Sequence, residues 1–286
     1  MKLSCCAGLA SFVPPTGDAK QLDTSAIYRS KLEKAESVLK TLADAGVDFF
    51  EFGVGMLCPE SPRALFEEFQ ALVSTYPLKA ECFNSFIPAD LKVVGSNIDK
   101  PRLQNYLAEA TERAKALGGE IIVFGSGGAR SRGDDVSPNR ARAQIFEFLS
   151  LAADAAKPHG IVIAIEHLNR SETNAINTVK EAVAYATEVN RPEIKALIDF
   201  YHMMQENEHL DEIVKAGAHI VHVHVADTGR LYPGSGNYDY AGFADALAQA
   251  GYKGRVSVEC NFRDFDTEVS KSLNFLRQVF ESVSEK

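Results

Sequence analysis

Short apolar runs alternate with longer amphipathic ones along the entire chain, and this rhythm constrains the fold more than any other feature. The runs of strand length are Leu3–Ala7, Val47–Phe52, Leu78–Phe83, Glu120–Phe124, Ile161–Glu166, Ile194–Ile198, Ile220–Val225 and Val256–Glu259. Between them, apolar residues recur at helical spacing in Ile27–Ala45, Pro62–Ser74, Pro101–Leu117, Asn139–Lys157, Thr178–Val189, Leu210–Ala216, Tyr240–Ala250 and Glu268–Ser282. Punctuation agrees with these bounds: Gly46 follows the first helix, Pro62 suits a first helical turn, and Gly118-Gly119 ends the third helix. Successive βα units must form right-handed parallel crossovers. Eight of them closing on themselves predict a (β/α)8 barrel, an α/β fold with a closed parallel sheet.

The rival arrangement is an open, doubly wound sheet that binds a dinucleotide. No strand-to-helix turn carries its fingerprint. Gly125–Ala129 (G-S-G-G-A) is glycine-rich, but it lacks both G-x-G-x-x-G and the Lys-Ser/Thr ending of a nucleotide loop. It reads instead as a tight turn where a substrate approaches the backbone. A length of 286 residues divided by about 150 per domain suggests two units. There is no Pro/Ser/Gly-rich seam, however, so residues 1–286 read as one barrel domain.

A formal charge of −9 argues against a nucleic-acid or anionic-membrane binder. No run approaches 18 apolar residues, so no transmembrane helix is expected. The first residues read as a core strand rather than a secretory leader, because Pro14 and Pro15 cut short any apolar helix. Five cysteines, odd in number and without C-x-x-C spacing, point to buried thiols of a reducing compartment, hence a cytoplasmic protein.

In a barrel, side chains at the carboxyl ends of the strands line the active site. Strand five ends in Glu166, strand six in Asp199, strand seven in His224 and strand eight in Glu259. One such residue could be a helix cap or a solvated loop group; four on consecutive strands form an arc at the barrel mouth. Three carboxylates so close would repel and raise one another's pKa unless a divalent cation sat among them. Three oxygens and one imidazole nitrogen suit Mn²⁺ or Mg²⁺, with Co²⁺ and Zn²⁺ also admissible. His222 and His224 share one strand face, so either could be the ligand; His224 is preferred as nearer the strand end, leaving His222 packed one layer lower. His167 must point away from the axis, His219 lies at the wrong end, and His159 and His209 read as surface residues.

The strings E-H-L-N-R-S-E (Glu166–Glu172), D-F-Y-H (Asp199–His202), H-V-A-D-T-G-R (His224–Arg230) and V-E (Val258–Glu259) resemble the sugar isomerase/epimerase family of xylose isomerase-like barrels. Within it, the pattern is similar to the ketose 3-epimerases of the D-tagatose and D-psicose type. The resemblance covers about the last 125 residues; the first half fits by rhythm alone. It implies one Mn²⁺ or Co²⁺ held by Glu166, Asp199, His224 and Glu259, with Glu172, His202 and Arg230 holding the carbonyl end of a small-molecule sugar. By the same resemblance, a homodimer or homotetramer is the implied assembly.

The implied chemistry is proton abstraction beside a ketose carbonyl, through an enediolate that a Lewis-acidic metal stabilises. Inversion at C3 needs a base on one face and an acid on the other. Glu166 and Glu259, on strands separated by two others, can flank the substrate as the catalytic pair. Arg130 and Arg132 depart from this pattern, since a neutral ketose needs no cation after strand four. They read either as solvated surface charge or as a cradle for a substrate phosphate or carboxylate. The second reading leaves aldose–ketose or hydroxypyruvate-type isomerisation open, and an inosose dehydratase-type lyase would use the same metal arc. A metal-dependent apurinic endonuclease would need further histidines on early strands, where this chain has Glu51 and Cys82-Phe83-Asn84.

Overall fold

The computed structural model of the protein describes residues 1–7 and 24–284. Pro14 and Pro15 lie outside them. Eight strands form one parallel sheet: β1 (Lys2–Cys5), β2 (Phe50–Gly53), β3 (Ala80–Asn84), β4 (Ile121–Phe124), β5 (Val162–Glu166), β6 (Ile194–Asp199), β7 (Ile220–Val225) and β8 (Arg255–Val258). Among the described residues, ten α-helices accompany them: α1 (Thr24–Asp44), α2 (Arg63–Ser74), α3 (Lys100–Ala116), α4 (Gly127–Arg130), α5 (Pro138–Ala156), α6 (Val179–Val189), α7 (Phe200–Gln205), α8 (Asp211–Ala216), α9 (Tyr240–Gln249) and α10 (Phe265–Ser284). The strand order is β1-β8-β7-β6-β5-β4-β3-β2, so every strand lies beside its sequence neighbours. Between β1 and β2 the ladder thins to a bridge of Cys6 with Glu51, backed by Ala7 N–H donating to the Glu51 carbonyl at 3.0 Å and Asp48 N–H to that of Leu3 at 2.8 Å. The barrel is therefore nearly closed.

All eight expected strands and the eight long helices appear, displaced by a residue or a few at their ends. The second strand shows the largest shift, starting at Phe50 rather than Val47, because Asp48 turns back to accept from Leu3 N–H with its carboxylate at 2.7 Å. Strand eight ends one residue before Glu259, although Glu259 N–H still donates to the Val225 carbonyl at 2.9 Å. The one-turn helix α4 and the short α7 are additions that periodicity could not reveal, being too short to show a period.

Strand alternation sorts the core into two layers. Outward residues such as Ile122, Phe124, Ile163 and Val223 pack against the helices in a large continuous cluster. Inward residues Phe49, Cys82, Ile121, Val123, Ala164 and Leu197 fill the barrel below the carboxyl end as a smaller second cluster. Side-chain caps on Asp99, Ser137, Thr178 and Asp239 fix where α3, α5, α6 and α9 begin. No helix among the described residues is long and apolar enough to cross a membrane.

Candidate active site

Parallel pairing carries the inward residues of β5 to β8 to one height. Asp199 is in register with His224, and His224 with Ser257, two residues before Glu259. Glu166, Asp199, His224 and Glu259 each offer one ligand atom, all within 4.8 Å of one another. His224 Nδ1 lies 3.1 Å from Glu166 Oε1 and 3.7 Å from Glu259 Oε2. A ring nitrogen and carboxylate oxygens approach so closely only with a proton or cation between them. The directions of titration express the same crowding. Burial and the neighbouring Glu259 raise the pKa of Glu166. Burial and Glu259 likewise raise Asp199, against the pull of His202. Burial favours a neutral His224, yet Cys6, Glu51 and Glu259 push its pKa well up. Glu259 moves the other way: despite burial, His224 and Arg230 bring it to about 2.

Two buried polar atoms in this group, Asp199 Oδ2 and His202 Nε2, have no hydrogen-bond partner. Buried polar atoms are normally satisfied, so each orphan calls for an explanation. Three carboxylates, one imidazole and an unpaired carboxylate oxygen fit a divalent cation. Asp199 uses its other oxygen locally: Oδ1 accepts from His202 N–H at 2.8 Å and caps α7. That cap turns the chain so that His202 is buried beside the cluster, its Nε2 4.0 Å from Asp199 Oδ2.

Glu172, His202 and Arg230 meet at the rim. Arg230 donates to Glu172 Oε1 at 2.8 Å and to Glu259 Oε2 at 3.1 Å, and its guanidinium lies over the Tyr201 ring. Asn169 ties the other two together, its side-chain amide reaching Glu172 Oε1 at 3.1 Å and His202 Nδ1 at 2.9 Å. The loop bearing Arg230 folds around buried Asp227, whose carboxylate accepts from the N–H groups of Thr228, Gly234 and Tyr238. A cavity of about 390 Å³ opens in front of this group, lined by Ile87, Tyr106, Gly125, Leu168 and the carboxylates of Glu166 and Glu259. A larger hollow of about 700 Å³ lies at the opposite end of the barrel, beside Glu120, Gly217 and Arg255, and touches none of these residues.

Both readings of Arg130 are corrected here. It is fully buried, and its guanidinium donates to the carbonyls of Phe124, Ala175 and Ile176 while stacking on the Phe124 ring. It is a structural clamp between β4 and the loop after β5, neither surface charge nor an anion cradle. Arg132 is half-exposed, donates one guanidinium N–H to the Val136 carbonyl at 3.1 Å and does not line this cavity. The glycine turn, in contrast, does line the cavity: a Cβ on Gly125 would stand 2.1 Å from Glu166 Oε2. His222 is packed one layer below His224, and His167 faces outward, its Nε2 accepting from Asp199 N–H at 3.3 Å.

Sequence reasoning missed Glu51, Asn169, Tyr201 and Asp227. Glu51 is wholly buried under the cluster, with Oε1 2.9 Å from His224 Nε2 and Oε2 2.8 Å from His222 Nε2. An acid inside an apolar strand, matched by inward histidines on β7, was its one available signal.

Residues 39–279 match the family described as xylose isomerase-like TIM barrels. An L-ribulose 3-epimerase of Methylomonas sp. (strain DH-1) is 35% identical over 194 residues, 61% of this chain and 68% of that protein. A ketose 3-epimerase of Arthrobacter globiformis is 38% identical over 108 residues, so that alignment spans just over a third of either chain, 37% of each. Among solved structures, a D-allulose 3-epimerase from Methylomonas sp. in complex with D-allulose superposes with a TM-score of 0.80 at 26% identity, covering 97% of this chain and 96% of that one. The barrel, the matched span and these relatives together make the chain an enzyme belonging to the xylose isomerase-like TIM barrel family.

Proposed function

We propose that this enzyme inverts C3 of a neutral ketose, with a divalent cation, Mn²⁺ by preference, held by Glu166, Asp199, His224 and Glu259. The observation that carries the proposal is the four-donor group at the ends of β5 to β8, of which Glu166 and Glu259 share one cavity with Glu172 and Arg230, while His202 is buried beside Asp199. Its relatives' names support ketose 3-epimerisation. The engagement of Arg130 and Arg132 with backbone carbonyls favours an uncharged sugar over a phosphate or acid. When bound, the cation supplies Lewis acidity that makes the C–H beside a ketose carbonyl acidic and offsets the enediolate charge.

The chain's own groups do the rest. Glu166 and Glu259 reach the cavity from strands separated by two others, so they address opposite faces of the substrate. One carboxylate takes the proton from C3 and the carbon flattens. The other, protonated, delivers its proton to the opposite face, and the two glutamates exchange protonation states before solvent resets them. Arg230, already paired with Glu172 and Glu259, orients both carboxylates and donates to substrate oxygen. His202, with an unpaired buried Nε2, is a donor for the carbonyl end.

Residues 1–286 are taken as a single domain, assembled as a homodimer or homotetramer. Cytoplasmic residence is supported by five free cysteines, four of them buried. The decisive experiment is incubation with Mn²⁺ in D₂O over a panel of ketoses, sugar phosphates and inososes. Deuterium at C3 of an epimerised ketose is the expected result. Label at C2 of an aldose would indicate isomerisation, and loss of water a lyase; either would overturn the reading. Glu259→Gln should abolish turnover and weaken Mn²⁺ binding, and full activity in that variant would remove the mechanism.

A further inference from the structure

We propose that Glu51 is a positioning residue that fixes the proton of both buried histidines on Nε2, so that His224 presents an unprotonated Nδ1 to the metal-binding group. The proposal rests on the cation reading above and extends it one layer down. Glu51 sits on β2, across the barrel from β7, with a wholly buried carboxylate. Each oxygen faces a different ring: Oε1 is 2.9 Å from His224 Nε2 and Oε2 is 2.8 Å from His222 Nε2. An ionised carboxylate only accepts, so both rings must donate from Nε2. In a neutral ring the other nitrogen then carries the lone pair, and a cation in the metal-binding group would take the place of any proton on His224 Nδ1. The other nitrogen of His224, Nδ1, points at Glu166 and Glu259 at 3.1 and 3.7 Å. That of His222, Nδ1, faces Cys82 Sγ at 4.0 Å, and a thiol can donate weakly to it.

A hydrogen-bonded carboxylate behind a ligand histidine fixes its tautomer and raises its basicity, and losing such a partner costs about 10–100-fold in metal affinity or activity. Glu51 differs from a simple pair in serving two rings at once, which makes the substitution Glu51→Gln unusually informative. A carboxamide has the same shape but offers one acceptor and one donor. Only one ring can still donate to it; the other must accept, and therefore must move its proton to Nδ1. With a cation bound at His224 Nδ1, that ring cannot change. His222 is the ring that must, turning its new N–H toward Cys82.

The test combines Mn²⁺ titration calorimetry with long-range ¹H–¹⁵N NMR of histidine-labelled protein loaded with diamagnetic Mg²⁺. In the unsubstituted protein, both His222 and His224 should carry the proton on Nε2, and one Mn²⁺ should bind per chain. In Glu51→Gln, His222 should carry it on Nδ1 while His224 keeps Nε2–H, with Mn²⁺ affinity 10–100-fold lower. An Nδ1 proton on either ring of the unsubstituted protein would overturn the assignment, even if the variant failed to fold. So would unchanged tautomers or unchanged affinity in the variant. Two Mn²⁺ per chain would overturn it as well, by making Glu51, Cys82 and His222 ligands themselves. Absence of any cation binding to the unsubstituted protein would instead remove the metal reading beneath it.

Discussion

Single atoms decide the geometry of the cavity wall at Gly125. It is the first residue after β4, and any Cβ there would fall 2.1 Å from Glu166 Oε2, far inside contact distance. Glu166 can give way only toward the cavity, and doing so shifts its other oxygen from its place 3.1 Å from His224. Gly125→Ala should therefore lower kcat by about 100-fold, because small displacements of reacting groups are that costly. Thermal stability in the metal-free state should stay within about 1 kcal/mol of the parent, since the strain falls on a carboxylate at a cavity edge. Steady-state kinetics and thermal melts check this; a fully active alanine variant would show that Glu166 does not act from this position. Arg230→Lys belongs to the same scale. One ammonium cannot span Glu172 and Glu259 as the guanidinium does at 2.8 and 3.1 Å, so kcat/KM should drop at least 10-fold with little change in stability.

Among the elements, α7 shows how one residue serves fold and site together. Asp199 caps the helix with Oδ1 and leaves Oδ2 to the metal-binding group. Asp199→Asn retains an oxygen to cap with, whereas Asp199→Ala loses the cap and should cost about 1 kcal/mol more in metal-free melts. Both should abolish Mn²⁺ binding, which calorimetry would show. Just beyond α7, Glu208 accepts from Val179 N–H at 3.0 Å, and burial pushes its pKa from an ordinary 4.5 to about 7. The folded state then binds more protons than the unfolded chain between those values. Stability consequently falls as pH rises from about 5 to 7.5, and Glu208→Gln should remove about 1–2 kcal/mol of that loss. Melts of both proteins at pH 5 and pH 8 measure it; parallel curves would refute the assignment. Elements of this length also mark how far the sequence could be read. Strands and long helices announce themselves by period and punctuation, and the ligand set by charged residues closing apolar runs. Glu51, Asn169 and Asp227 did not, because their roles depend on partners brought together only by closure of the sheet. Arg130 was misread for the same reason: three carbonyls from β4 and the following loop receive it, and no local pattern forecasts a buried guanidinium.

At the scale of the molecule, the barrel gathers negative charge that its own cations do not balance. Three carboxylates converge at the mouth, a fourth, Glu51, lies beneath them, and Arg230 is the guanidinium that bridges the rim. Bringing these acids together works against folding, and two of them, Glu166 and Asp199, have pKa values raised by burial and, beyond that, by the neighbouring Glu259. A bound divalent cation would change the formal charge from −9 to −9 + 2 = −7 and would do so where the repulsion is concentrated. Cation binding should then stabilise the whole barrel rather than its mouth alone, because the ligands come from four adjacent strands of one cooperative sheet. With Mn²⁺ at 100 times its dissociation constant, linkage adds about 2.7 kcal/mol. For a chain of this size that corresponds to a rise in Tm of about 5 °C, reversed by chelator. At the same Mn²⁺ concentration, Glu259→Gln should show a smaller rise and Asp199→Asn none. An identical Mn²⁺-dependent rise in either variant would mean that the stabilising cation binds elsewhere, and that the four strand ends are not its site.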